Sequence, residues 1–458
     1  MIWGLQKTSL YFLAVAAAFG VLITGAPALK AQGLTEAQYQ RLKRELKEEL
    51  AQDSDVDLKV KWKGAPKLSS RDGKSSFKVR GRLMGDFDSI DQDETITGEK
   101  DINGVELRRA RLGVEGHLWY DWKYKFEVDF AGDRSRIKDA YIAYANWWNN
   151  IAMSEIIVGN FKVANSLEEM TSSRFITFME RAAFIEAFDF QRRIGVGAWL
   201  GDDHWSFQTG YYGATAIDQD TWFDDQTSYS VRGTVAPINN DSTVVHLGGS
   251  YRHRNAGTLE DTGAAELYRY RARGADLHLA DRFIATPRIG ESDDMFVLEG
   301  AVVWNRFSMQ GEYAQIDVDV PSTIAMVSPE YNGYYVEASV FLTDDMRNYS
   351  AKTGEFKRVK VKNPVFNGSG GWGALQLAGR YDVLDLSGGA APINNSIAPL
   401  AVTCTDCGKQ STWLIALNWW MTDYTALKFN VTQSEISGPG ANNGATISGF
   451  GTRFQIDW

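Results

Sequence analysis

The chain has 458 residues, 58 of them acidic and 48 basic, and carries a formal charge of −10 at pH 7. That balance gives no basic footprint for nucleic acid. An aromatic content of 12%, with 43 Gly against 10 Pro, favours strands. The mean hydropathy of −0.30 leaves a membrane barrel open, because a barrel wall shows lipid only every second residue.

Residues 1–28 read as an export signal. Lys7 supplies the positive start, an apolar core runs from Leu10 to Ile23, and Ala26-Pro27-Ala28 offers a small-x-small cleavage site, with Ala31 as a second. The core is shorter than the roughly 20 residues of a spanning helix, so cleavage is expected rather than anchoring. No other stretch is long enough to span as a helix, so a mature protein in a membrane would have to be a closed barrel. Residues 34–52 predict a helix on the periplasmic side. Thr35 and Gln38 fit a capping box, and Tyr39, Leu42, Leu46 and Leu50 form one apolar stripe among charges. It reads either as a solvated leader or as a short coiled coil between subunits. Residues 53–76 read as a linker with some strand character at Leu58, Val60 and Trp62.

From residue 77 to 458 the pattern becomes period two. Trp122, Tyr124, Phe126, Val128 and Phe130 alternate with Lys123, Lys125, Glu127 and Asp129, and Phe454, Ile456 and Trp458 alternate with Arg453, Gln455 and Asp457. Sixteen such segments run over 77–87, 105–119, 122–132, 136–146, 154–162, 190–201, 204–214, 227–237, 242–256, 291–304, 306–318, 331–343, 371–386, 411–421, 424–436 and 446–458. The connections alternate between short turns and long loops, as in an outer-membrane barrel with its turns in the periplasm. The two exceptions are 344–370, long where a turn is due, and 133–135, short where a loop is due. Trp119, Trp122, Trp205, Trp304, Trp413, Trp419 and Tyr424 fall near strand ends, where aromatic girdles sit. The reading is an all-β, sixteen-stranded antiparallel transmembrane barrel over 77–458, in contact with outer-membrane lipid.

Cys404 and Cys407 are the two thiols. Without a nearby histidine they make a poor zinc site, and in an exported protein their spacing fits a short loop disulfide. None of the five histidines lies in a nucleophile motif, so neither enzymatic chemistry nor a metal or other cofactor is expected.

The run Glu106-Leu107-Arg108-Arg109-Ala110-Arg111-Leu112-Gly113 is followed by Lys125-Phe126-Glu127-Val128-Asp129-Phe130 and Lys138-Asp139-Ala140-Tyr141-Ile142. Next come Val158-Gly159-Asn160-Phe161-Lys162, the stretch from Ser166 to Arg174, and Thr177-Phe178-Met179-Glu180-Arg181. This series resembles the phosphate-selective porin O and P family of Gram-negative outer membranes. The resemblance implies a homotrimer, a third loop folded into the lumen, and rows of cations that lead small anions such as phosphate to a narrow site. It marks Arg174 and Arg181 as third-loop candidates.

Alternation puts Arg80, Arg82, Arg109, Arg111, Lys123, Lys125, Arg193, Arg380, Lys428 and Arg453 on the inward face, together with Asp139. A dehydrating phosphate needs fixed cations, and guanidinium forks onto two oxygens while staying charged. A general porin and a structural or adhesive barrel remain the alternatives.

Overall fold

The computed structural model describes residues 58–216, 223–224, 226–259, 263–324, 327–365, 368, 370–388 and 404–458. The expected export signal and the helix over 34–52 lie outside the described residues. The sixteen segments anticipated from alternation are strands: β1 Ser76–Asp91, β2 Ile102–Leu118, β3 Trp122–Asp129, β4 Arg136–Ala145, β5 Met153–Lys162, β6 Arg192–Asp202, β7 Trp205–Tyr212, β8 Thr227–Asn239, β9 Thr243–Asn255, β10 Ser292–Trp304, β11 Phe307–Asp319, β12 Glu330–Phe341, β13 Ala374–Asp385, β14 Lys409–Trp420, β15 Thr425–Ser437 and β16 Thr446–Asp457. Each pairs antiparallel with its neighbour, and β16 closes on β1 through Asp457↔Arg82 and Arg453↔Asp86. Closure leaves no unpaired edge within the wall, which lipid would not tolerate.

The burial pattern is inverted relative to a soluble sheet. On β15, Val431 is 57% exposed, whereas Asn430 and Thr432 beside it are 0% and 2% exposed. Apolar side chains therefore face outward and polar ones inward. Near the short turns the outward face turns aromatic. Trp304 and Phe307 stack across a two-residue turn with ring centroids 6.2 Å apart, and Trp122 lies 5.3 Å from Tyr144.

Residues 58–70, where the sequence suggests a linker with strand character, fold as a hairpin of two strands, Leu58–Lys63 and Ala65–Ser70. The second strand pairs with the start of β1 through Lys67↔Lys78, Leu68↔Phe77 and Ser69↔Ser76.

Besides a bulge between Val235 and Ile238 on β8, two more break strict alternation among the first four strands. One lies between Met84 and Gly85 on β1, opposite Arg108 on β2, and the other between Glu127 and Val128 on β3, opposite Lys138 on β4. A bulged residue has no ladder partner and shifts parity. Arg108 and Arg109, neighbours in sequence, thereby both reach Glu180 in the lumen.

Three connections fill the interior. The third loop (163–191) carries two short helices, Leu167–Met170 and Ala183–Ala187, and the fifth loop spans 256–291. Phe184, Phe188 and Phe190 of loop three pack with Tyr270, Leu277 and Phe283 of loop five against Met295, Val297, Ile316 and Tyr335 of the wall. The long connection 342–373 enters from the opposite end as a small hairpin, Asn348–Ser350 with Glu355–Lys357. Phe356 packs there beside Leu167, Val244, Ala301 and Val303, and its backbone N–H donates to Thr171 Oγ1 at 3.2 Å. Gly354, at φ 58°, sits where a side chain would meet Thr234. Its carbonyl accepts from Arg232 Nη2 at 2.6 Å.

Candidate functional site

Loop three is anchored to the wall on one side by charged and backbone hydrogen bonds. Glu312 accepts the backbone N–H groups of Leu167 and Glu168 at 2.9 and 2.7 Å, and Asp382 accepts that of Ala183 at 2.7 Å. Asn418 Nδ2 donates to the Thr177 carbonyl at 2.8 Å and Lys428 Nζ to that of Ile176 at 2.5 Å. Arg380 joins Glu337 and Glu168. Arg453 binds both oxygens of Asp86, at 2.7 and 2.6 Å, and reaches Glu180 at 2.6 Å. Glu180 also takes a fork from Arg108, with both bonds at 2.8 Å. Burial pushes the Glu180 carboxyl up, but Arg108, Arg109 and Arg453 together outweigh burial and hold it well below the usual carboxylate range.

On its other side the loop faces β1 to β6 across a cavity of about 260 Å³. The lining includes Arg80, Arg82, Arg109, Arg111, Lys125, Lys162, Arg174, Arg181, Arg192 and Lys357, against only Asp139, Glu169 and Glu355. Ten bases thus meet three acids. Five further carboxylates pair with these bases from outside the lining: Glu115, Glu127, Asp129, Glu180 and Asp457. The balance is then ten against eight (three plus five), and it remains positive.

The pairing is uneven. Asp139 bridges Lys125, at 2.5 Å, and Arg192, at 2.6 Å. Glu127 is shared by Arg80, Arg82 and Arg111 at 3.4, 3.6 and 3.2 Å. Arg82 also donates to Ser173 Oγ at 2.6 Å, which ties the wall to the loop. Arg181 is held inside its own loop. It donates to the carbonyls of Glu168, Glu169 and Thr171 at 3.0, 3.3 and 2.9 Å and pairs with Glu169 at 3.1 Å. Arg174 is less tied, with Ser172 Oγ at 3.3 Å and Asp457 at 3.7 Å. Burial first, and then the nearby Arg80 and Arg358, pull its guanidinium down to about 10 against the pull of Asp457, which leaves it cationic at neutral pH.

Eight sequence candidates meet in this cavity: Arg80, Arg82, Arg109, Arg111, Lys125, Asp139, Arg174 and Arg181. Five others lie elsewhere. Arg380, Lys428 and Arg453 do point inward, but loop three lies over them, so they anchor the loop and do not line the cavity. Arg193 is covered likewise and pairs with Asp189 at 3.2 Å. Lys123, near the short turn between β2 and β3, pairs with Glu155 at 2.6 Å outside the cavity. Alternation assigns a face of the sheet and is blind to what a loop lays over that face. Three lining bases escaped the sequence reading. Lys162 closes a motif already in view. Arg192 opens β6 at the edge of the loop, on the parity of the outward Ile194 and Val196, so alternation assigns it to the wrong face. Lys357 comes from the long connection, whose sequence has no periodic signal. Cys404 and Cys407 are joined by a disulfide in loop seven.

A closed sixteen-stranded barrel with a polar, loop-filled interior and an apolar exterior is the architecture of an outer-membrane porin, a channel rather than an enzyme. The chain belongs to the phosphate-selective porin O and P family, whose model matches residues 77–458. Porin O of Pseudomonas aeruginosa is 25% identical over 427 residues, 87% of this chain and 92% of that protein. An uncharacterised protein of Caulobacter vibrioides is 31% identical over 425 residues, 89% of this chain and 79% of the relative. An anion-selective porin from Comamonas acidovorans shares the fold, with a TM-score of 0.51 at 13% identity, over 84% of this chain and 100% of that one.

Proposed function

We propose that the pore passes small anions by diffusion, phosphate and polyphosphate-like solutes among them, and that loop three forms its constriction. The observation that carries this reading is the lining of the cavity beside loop three, where ten basic residues outnumber the eight carboxylates that line it or pair with them. The net charge of −10 does not oppose it. Charges on exposed loops are screened beyond about 8 Å at physiological salt, whereas low-dielectric walls focus the field of cations inside a narrow passage. Shared carboxylates such as Glu127 and Asp139 keep each cation's pull weak enough to let an ion leave, as conduction requires. Membership of the family supports a homotrimer, which chemical cross-linking of the native membrane would test.

The test of function is the reversal potential of the purified protein in a planar bilayer under a potassium chloride gradient, repeated with phosphate added as a competitor. An anion-selective potential and a block of chloride current by phosphate are expected. Conductance without ion preference would make this a general porin. Absence of conductance would make it a structural or adhesive barrel.

A further inference from the structure

The cavity is not lined by charge alone; aromatic rings stand among its bases. Tyr141 on β4, Phe161 on β5 and Trp199 on β6 line it together. The Phe161 ring lies 6.3 Å from that of Tyr141 and 6.1 Å from that of Trp199, in edge-to-face arrangements. Phe161 is buried, while Tyr141 and Trp199 are half-buried. The wall is thinned to seat these rings. A Cβ on Gly197 would lie 3.0 Å from the Phe161 ring. Tyr212, 5.4 Å from Phe161, rests over Gly195 and Gly210, where a Cβ would come within 2.8 Å of its atoms or closer. Lys125 Nζ stands 6.0 Å from the centre of the Tyr141 ring, which brings charge and aromatic face together.

An inorganic ion, fully ringed by water or by cations, gains nothing from such a shelf. A flat apolar body gains burial and edge-to-face contact, while its carboxylate meets the cations of the same lining, among which Arg174 is less tied to protein carboxylates. There is room for both parts. A cavity of about 150 Å³ holds benzene, and this one measures about 260 Å³. We infer that, besides inorganic anions, the cavity selects single-ring aromatic carboxylates, and that Trp199 and Tyr141 select them. The inference rests on the anion reading above and adds a substrate class to it.

The experiment titrates chloride current through the full-length protein with benzoate, acetate and inorganic phosphate in separate runs. Benzoate and acetate carry the same charge and differ in the ring. Benzoate is expected to half-block at a concentration about tenfold below that of acetate, the factor for burying roughly one ring face. Trp199→Ala should bring the two to within about twofold of one another, and Trp199→Phe should keep most of the difference. If Trp199→Ala does not give a folded, heat-modifiable barrel, Tyr141→Ala is read in the same way. Equal block by benzoate and acetate in the wild type, or an undiminished benzoate advantage in the alanine variant, would overturn the inference and leave the anion reading in place. A reversal potential without anion preference would instead remove the anion reading itself.

Discussion

Replacing Arg174 by Gln removes one positive charge from the cavity and adds no negative one. Of the two loop-three arginines it is the better probe, because Arg181 is bonded to three carbonyls of its own loop and its loss would disturb the loop itself. Arg174 holds Ser172 Oγ at 3.3 Å and Asp457 at 3.7 Å, and its guanidinium lies 5.0 Å from the Phe175 ring. An anion passing about 5 Å from the guanidinium interacts with it by about 0.8 kcal/mol at the dielectric of water and about 3.3 kcal/mol at an effective dielectric of 20. The lower figure alone corresponds to about a fourfold loss of anion-over-cation permeability. The control is Arg288→Gln in loop five, an exposed residue paired with Glu266, where screening should reduce the effect to near nothing. Both variants are measured as reversal potentials in the same salt gradient. The Arg174 effect should shrink as salt rises. Equal small shifts for the two variants would mean that loop three does not set selectivity, and the reasoning from local field to function would fail.

Other perturbations address the anchor and the loops. Arg453→Met leaves Asp86 and Glu180 inside the barrel without their shared cation, and breaking a buried pair of this kind costs about 3–5 kcal/mol. The folded band on unheated gels should disappear at a lower temperature than in the wild type, and an unchanged transition would count against the anchoring role. Glu180 titrates well below the usual carboxylate range in the folded protein, so the stability it contributes is complete above the unfolded value of about 4.3 and is lost only as pH falls through the folded one. Glu180→Gln should therefore lower the temperature at which the folded band is lost by the same amount at pH 8 as at pH 5, and a difference that disappears between pH 7 and pH 5 would contradict that assignment. Cys404 and Cys407 should resist a thiol reagent until a reductant is added, and full labelling of the untreated protein would exclude the disulfide.

The sequence by itself determined the wall. A strand pleat has a period of two, so each residue's face follows from its immediate neighbours. Sixteen runs of alternation, aromatic at their ends, specify a closed barrel without knowledge of any distant contact. It also located the basic patch on the first strands, since Arg80, Arg82, Arg109, Arg111 and Lys125 are inward by parity alone. Only the tertiary structure decided which inward cations remain open to a passing solute. Arg453 is joined to Glu180 across 273 residues and Arg380 to Glu168 across 212. Such pairings depend on where a loop docks, and alternation holds no record of docking. The same limit hid Lys357, which reaches the cavity on a connection from the opposite end of the barrel. It also hid Arg108, turned inward by a bulge that belongs to the register between two strands and to neither strand alone.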